Sequence, residues 1–385
     1  MTGMGVAGVR FDVIVLGFGG VGSAALAHLA RRGVNVLGLD QFPGAHDRGS
    51  SHGETRMIRQ AYLEHPDYVP LLRRAYTLWD ELEELTGKRL FERVGLLEVG
   101  PADGFVVPGI IASARQHELA VEELSHDEVR SRFPGFKLDE SMAAVFESEA
   151  GYLLVEECVR AHLEVASQFG ATLHTGETVE DWSAGRDGVA VKTNRQTYYA
   201  DRLVVTAGAW ASRFLGEIGC ALPVVRKHLH WFDCQDPIYR RELGCPAFLF
   251  EVDRTVYYGF PQIDELGVKI AEHSEQGELV EDPLDLDRSL DEAERQRVAT
   301  QLKRYLPGVS LLPTRHVVCM YTMSPDHHFI VDHHPEFPAV VFAAGLSGHG
   351  FKFASTLGEA LAEMALGERA SQPVEFLGLK RFGVA

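Results

Sequence analysis

The sequence contains no run of eighteen apolar residues, so a membrane-spanning helix is excluded. Positive charge is scarce: 37 lysines and arginines face 55 aspartates and glutamates, a formal charge of −18. That balance leaves no electrostatic footprint for nucleic acid or an anionic membrane, although a local cationic pocket for a small substrate is compatible with it. Cysteine is scarce too. The five, at 158, 220, 234, 245 and 319, form no C-x-x-C pair and leave one unmatched, so a reducing cytoplasm is the expected compartment. Internal repeats and low-complexity segments are absent. What remains is ordinary for a soluble protein: 45% apolar and 24% charged residues over 385 positions, enough for two domains or one large composite.

The most informative stretch is Asp12 to Asp40. Val13 to Leu16 is a short apolar run, as expected of a strand buried on both faces of a parallel sheet. Gly17, Gly19 and Gly22 follow with the spacing G-x-G-x-x-G. A helical period then leads through Ala24, Ala25, His28 and Leu29 to Arg31 and Arg32, and Gly33 stops it. Val34 to Leu39 reads as a second strand ending in Asp40. The glycines supply a tight turn, close approach of a pyrophosphate and close helix-on-sheet packing, and Asp40 lies where an acid accepts hydrogen bonds from a ribose. Strand, glycines, helix, strand and terminal acid in register define an adenine-dinucleotide site. Gln41 and Phe42 follow Asp40 with no base for a 2′-phosphate, which leaves NAD or FAD and disfavours NADP. Arg10, the apolar stretch and Ala25 and Ala27 mimic a signal peptide, but that reading would consume the nucleotide motif.

Further along, SSHGETRMIRQAY crowds Ser51, His52, Glu54, Arg56 and Arg59 just after the nucleotide unit. Such a stretch is ordinarily a solvated segment; on a helix or turn Arg56 and Arg59, three apart, would share a face. Leu71, Leu72, Ala75, Trp79, Leu82 and Leu85 mark an amphipathic helix ended by Gly87. Helices are expected near Val106 to His117 and over Val155 to Phe169, with a polar helix at roughly Leu286 to Leu306. Short strands are expected at Gly95–Val99, Thr172–Thr175, Val189–Thr193, Thr197–Tyr199 and Leu203–Thr206, the last followed by a small-residue turn containing Gly208. The nucleotide domain is therefore assembled from separated pieces, 12–90, 150–215 and 322–380. A β-rich domain, 91–149 and 216–321, is inserted between them.

Near the C-terminus Ala339–Ala344 is a strand feeding GLSGHGFKFAS and then a helix. A glycine loop opening a helix aims N–H groups at what it faces. A flavin gains negative charge on one edge of its ring when reduced, whereas nicotinamide enzymes have no comparable need, so the second glycine loop favours FAD. Lys352 lies just inside it and is otherwise an exposed helix lysine.

Six ordered blocks then carry a family resemblance from Asp12 almost to the C-terminus: Gly49–Arg59, Tyr257–Pro261, Gly267–His273, Val318–Thr322, Pro325–Asp332 and Gly345–Ser355. The chain resembles the monomeric sarcosine oxidase and N-methyltryptophan oxidase family of FAD-dependent amine oxidases. The resemblance implies a flavin bonded covalently to Cys319 through its 8α-methyl carbon; by composition alone Cys319 reads as a buried strand cysteine. It implies that Arg59 and Lys352 bind a substrate carboxylate, that His52 and Arg56 flank the flavin, and that Lys269 marks the face where oxygen reacts. Tyr258, His273 and Tyr321 would line the substrate cavity. The cofactor-binding set is Gly17, Gly19, Gly22, Asp40, Val179, Gly208, Gly348 and Gly350, with Cys319. One departure is visible: Ser51 and Glu54 replace a histidine and an aspartate common in the family's GSHHGDTR block, while His52 is retained. The histidines at 327, 328, 333 and 334 lie in a matched block and are not read as a metal site; no metal is expected.

The expected fold is thus α/β: a discontinuous Rossmann-like FAD-binding domain with an inserted antiparallel-sheet substrate domain. The implied reaction is oxidation of a secondary amino acid's N–CH3 or ring C–N bond, with O2 as acceptor and H2O2 as product. The substrate is left open among sarcosine, N-methyltryptophan, another N-methyl amino acid and a cyclic imino acid. A dehydrogenase with a different acceptor, or a flavin-bearing subunit with a dead site, are the other readings. A monomer is expected, without nucleic-acid or membrane partners.

Overall fold

The computed structural model describes residues 10–274 and 277–384, and two eight-stranded sheets organise them. The first is built on Arg10–Leu16, whose Val13 to Leu16 are buried, as an apolar run covered on both faces must be. Val36–Leu39 and Thr197–Val205 flank it in parallel, and Thr172–His174 and Val340–Ala344 extend the parallel set. Antiparallel strands Val179–Gly185, Gly188–Thr193 and Ile330–His333 complete it. Helix Gly20–Arg31 packs against helices Val155–Gln168 and Ala354–Ala365.

The second sheet runs in the order Val309–Thr322, Val224–Cys234, Val268–His273, Thr255–Phe260, Ala247–Val252, Leu96–Pro101, Met142–Glu147 and Glu122–Leu124. Every pairing is antiparallel except that of Ala247–Val252 with Leu96–Pro101. A small third sheet joins Thr55–Ile58, Gly151–Leu154 and Phe91–Glu92. The fold is α/β, with a parallel-centred nucleotide sheet and a mainly antiparallel second sheet.

Several elements differ from the sequence reading. The polar helix starts at Glu292, not near Leu286, because Asp291 caps it by accepting from Ala293 and Glu294 N–H. Thr197–Tyr199 and Leu203–Thr206 are one strand, Thr197–Val205, because its pairing with Arg10–Leu16 continues through the polar middle. Leu85 faces solvent although it fits the apolar period of its helix, Tyr68–Thr86. Arg56 does not share a face with Arg59. Thr55–Ile58 is a strand, where an offset of three points two side chains to opposite sides.

Candidate active site

A cavity of about 1450 Å³, its open mouth included, follows the C-terminal ends of the parallel strands. Its lining runs from the first glycine turn and Asp40 past Val179 and Gly208 to the 345–350 loop, an extended course that suits a dinucleotide. Gly17, Gly19, Asp40, Val179, Gly208, Gly348 and Gly350 border it, together with Arg56 and Tyr321. Gly22 acts from outside the lining. A Cβ there would sit 2.0 Å from the Gly17 carbonyl oxygen and 2.4 Å from Thr206 Oγ1, so only hydrogen lets helix and strands close up. At Gly348, with φ 82°, a Cβ would fall 2.2 Å from the Tyr321 ring.

The donors in this cradle fit FAD. Helix Gly20–Arg31 has no capping side chain from its own N-cap, Gly19, and no acid in its first turn, which favours an anion at its N-terminus. Ser51 Oγ accepts from Gly20 N–H at 3.1 Å, so the residue that departs from the family pattern borders the cavity. Asp40 is buried, and its carboxylate accepts from Phe18 N–H (3.0 Å) and Phe42 N–H (2.9 Å), which orients it and leaves lone pairs for a ribose. Among the described residues, Thr322 Oγ1, on the cavity lining, is buried without a hydrogen-bond partner, as a group facing a polar ligand is.

Above this cradle lies one face of the second sheet. Residues directly opposite in an antiparallel pair share a face, and so do residues two apart on one strand. Cys319 is opposite Lys227, Lys269 opposite both Trp231 and Phe260, His273 opposite Val256, and Tyr258 opposite Ala271. Tyr321 is two beyond Cys319, and His273 is four beyond Lys269. Period-two geometry therefore delivers Cys319, Tyr321, Lys269, His273 and Tyr258 to the same surface. The His273 and Tyr321 rings are 5.7 Å apart, and Tyr258 lies 6.4 Å from His273. His273 is half-buried, and the loss of hydration pulls its pKa down to about 4, so the ring is neutral.

The Gly53–Arg59 segment crosses this surface. Arg56 donates to the carbonyls of Thr55 (2.9 Å) and Ser50 (3.0 Å) and lies 3.4 Å from Cys319 Sγ. Lys269 spends its donors on the same segment: Gly53 O at 2.5 Å, Thr55 O at 2.9 Å and Thr55 Oγ1 at 2.9 Å. Burial and then Arg56 hold its pKa well below the usual lysine value, and the rings of Trp231 and Phe260 flank it at 5.2 and 4.9 Å. Glu54, the second departure from the family block, accepts from Trp231 Nε1 at 3.0 Å and pairs with Arg315. His52, buried and beside Arg56, is held neutral with a pKa near 3, burial being the larger cause.

On the other side of the same short strand, Arg59 and Lys352 converge. Arg59 Cζ and Lys352 Nζ each lie 5.1 Å from the centroid of the Tyr62 ring, and both side chains are buried. Lys352 is not an exposed helix lysine; it donates to the His349 carbonyl at 2.8 Å, and burial followed by Arg59 pulls its pKa to about 7. Arg59 already has carboxylates. Glu64 meets Nη2 at 3.2 Å, and Glu98 meets Nε at 3.3 Å. Burial opposes ionisation of Glu64, but Arg59, His349 and Lys352 outweigh it and bring its pKa to about 2.

Glu64, Glu98, Tyr62 and His349 escaped the sequence reading. Glu98 alone carried a signal: an acid inside an apolar strand needs a partner. The histidines of the 325–334 block do not converge. His328 meets the Tyr68 hydroxyl, His333 the Pro338 carbonyl and His334 the Leu215 carbonyl.

A parallel dinucleotide sheet with its glycine cradle, faced by a second sheet bearing buried cations, defines an FAD-dependent oxidoreductase. The family model described as DAO, FAD dependent oxidoreductase, matches residues 12–364, and the chain belongs to that family. It is 38% identical over 375 residues to the monomeric sarcosine oxidase of Bacillus sp. (strain B-0618), covering 97% of this chain and 96% of that protein. It is 39% identical over 381 residues to the monomeric sarcosine oxidase of Streptomyces avermitilis, covering 97% and 98%. The N-methyl-L-tryptophan oxidase of Yersinia pestis (strain Pestoides F) is 38% identical over 376 residues, covering 97% and 99%. Among solved structures, NikD, an unusual amino acid oxidase essential for nikkomycin biosynthesis, matches with a TM-score of 0.84 at 24% identity. That match covers 96% of this chain and 97% of NikD and speaks to the fold.

Proposed function

We propose that this enzyme oxidises the N–CH3 or ring C–N bond of a secondary amino acid, with O2 as final acceptor. The observation that carries the reading is that buried Arg59 and Lys352 each lie 5.1 Å from the centroid of the Tyr62 ring and both act electrostatically on His273, which shares a sheet face with Tyr258 and Tyr321. Two cations around one carboxylate give charge-assisted hydrogen bonds of about 1.5–3 kcal/mol each. FAD held in this cradle would supply the two-electron chemistry, a hydride acceptor for the C–H beside nitrogen and an electron donor to O2, with H2O2 as product. Water then splits the imine, releasing formaldehyde from an N-methyl substrate. Arg59 and Lys352 hold the carboxylate and so aim the amine at the flavin face. Tyr258, His273 and Tyr321 wall the amine end, and a neutral His273 suits an uncharged amine. No general base is required for an amine that binds uncharged. Arg56 and His52 flank the flavin, Cys319 attaches it covalently, and Lys269 serves the oxygen side.

We keep the domain division given above, 12–90, 150–215 and 322–380 against 91–149 and 216–321. We place the enzyme in the cytoplasm, as a monomer; among the described residues no helix is long and apolar enough to cross a membrane. The test is peroxide release across sarcosine, N-methyl-L-tryptophan, other N-methyl amino acids and cyclic imino acids such as pipecolate. Turnover of one class with stoichiometric H2O2 is expected. Anaerobic bleaching of the flavin without peroxide in air would point instead to a dehydrogenase.

A further inference from the structure

Glu98 sits in the strand Leu96–Pro101 with its side chain wholly inaccessible, and among the described residues neither carboxylate oxygen accepts a hydrogen bond. Among the described residues its one salt-bridge partner is Arg59, whose Nε is 3.3 Å away and makes no hydrogen bond of its own. The contrast with Glu147, one strand over, is instructive. That buried carboxylate accepts from Gln60 N–H at 2.7 Å and Ala61 N–H at 3.0 Å, the two residues after Arg59. A buried carboxylate is tolerated ionised where N–H donors or a dedicated cation surround it. Glu147 has donors. Glu98 has only a share of Arg59, whose outer edge is held by Glu64.

Three carboxylates therefore crowd one guanidinium. The charged groups facing Glu98 are Arg59 and Glu64 from the segment after the strand Thr55–Ile58, and Glu147 from the neighbouring strand. On the paired strands, the residues opposite Glu98 are Val145 and Leu249, both apolar. Lys352 bears on Arg59 and Glu64 from the C-terminal glycine loop. Glu98 is the carboxylate with the least to stabilise its charge.

We propose that Glu98 holds a proton while an anionic ligand occupies Arg59, and that its ionisation switches the carboxylate site to weak binding. The inference rests on the reading that Arg59 receives the substrate carboxylate. The sign follows from position. Protonated Glu98 leaves the charge of Arg59 to whatever binds its open edge; ionised Glu98 neutralises the guanidinium from behind. Burial, with Arg59 opposing and Glu147 and Glu64 adding, raises the Glu98 pKa to about 8. Full affinity for a carboxylate is thus present below that pH and is lost as pH rises through it. Lys352, with a pKa near 7, contributes a loss in the same direction beginning lower, and only a variant separates the two.

The test uses the holoenzyme and acetate, a carboxylate without a titrating amine, with its Kd read from the flavin absorbance change between pH 6.5 and 9.5. In wild type, acetate binding should weaken by about tenfold beyond the Lys352 limb, as one unit of coupling between two sites implies. Glu98→Gln and Glu98→Leu, one keeping shape and the other apolar, should both retain tight binding at alkaline pH, leaving only the Lys352 limb. A wild-type profile in either folded variant overturns the proposal. So does weaker acetate binding than wild type at every pH, which would make Glu98 a structural prop for Arg59. Arg59→Ala is the separate control: if it binds acetate like wild type, the carboxylate reading fails, and the switch falls with it for that distinct reason.

Discussion

Glu64→Gln should make the enzyme bind its substrate more tightly. Glu64 occupies Arg59 from the open side, with both oxygens within 3.3 Å of Nη2. An incoming carboxylate must displace it. Its pKa falls to about 2 because Arg59, His349 and Lys352 outweigh its burial, so the carboxylate is ionised throughout the working range. A charge-assisted contact of this kind contributes about 1.5–3 kcal/mol, and a neutral amide retains about 0.5–1.5 kcal/mol of it. The difference, on the order of 1–1.5 kcal/mol, is the penalty that substrate no longer meets, roughly five- to tenfold in Kd. Anaerobic stopped-flow reduction of the flavin over a range of sarcosine concentrations gives Kd and the limiting rate separately. Sarcosinamide, which replaces the carboxylate by a carboxamide, is the control. Kd for sarcosine should fall while that for sarcosinamide and both limiting rates stay close to wild type. Weaker sarcosine binding in Glu64→Gln would refute the reasoning, because Glu64 would then be holding Arg59 in its productive pose instead of competing for it.

Cys319→Ser should release the yellow colour into the supernatant on acid denaturation, whereas wild type keeps it in the pellet; colour lost from wild type would leave Cys319 a core residue. Lys269→Met should slow reaction with O2 by orders of magnitude while anaerobic reduction by substrate changes much less, and parallel loss of both half-reactions together with stability would assign Lys269 a structural role. Gly22→Ala should abolish FAD retention, since its Cβ would fall 2.0 Å from the Gly17 carbonyl oxygen; normal flavin content in the purified variant would show that the helix shifts to accommodate it.

The nucleotide half of the fold was legible because it is written locally. Val13 to Leu16, the three glycines and Asp40 all fall within one short stretch, and each is read from a local demand: burial on both sheet faces, close packing at Gly17 and Gly22, and a carboxylate placed for a ribose. The second sheet was far less legible. Its longest strand, Val309–Thr322, carries exposed Leu311 and Leu312 as well as buried Cys319 and Tyr321. No single period describes a strand that is solvated at one end and enclosed at the other. The polar helix was placed too early for a related reason: Pro283, Asp285 and Asp287 are compatible with several starts, and Asp291 wins by capping. Arg59 and Lys352 are 293 positions apart, and nothing in their spacing joins them; only the resemblance did. Glu64 lay in a loop with no periodic constraint. Sequence patterns report what a segment packs against, whereas this acid is defined by the single side chain it meets.

The strand Thr55–Ile58 explains why two cations three residues apart reach separate surroundings. An offset of three on a strand sends Arg56 to one side and Arg59 to the other. Arg56 reaches Cys319 Sγ and the Ser50 carbonyl, at the flavin cradle; Arg59 reaches Glu64 and Glu98, at the proposed carboxylate site. The register that fixes this arrangement is the pairing of Thr55 to Ile58 with Leu154 to Gly151. A slip of one residue would exchange the two sides and place each guanidinium in the wrong charge environment. Three anchors oppose such a slip. Lys269 binds the carbonyls of Gly53 and Thr55, Glu156 accepts the amides of Gly53 and Glu54, and Glu147 accepts those of Gln60 and Ala61. The same lysine assigned to the oxygen side is thus one of the groups that keep the carboxylate side in register. That coupling is why a Lys269 variant must be judged on its two half-reactions separately, and not on turnover alone.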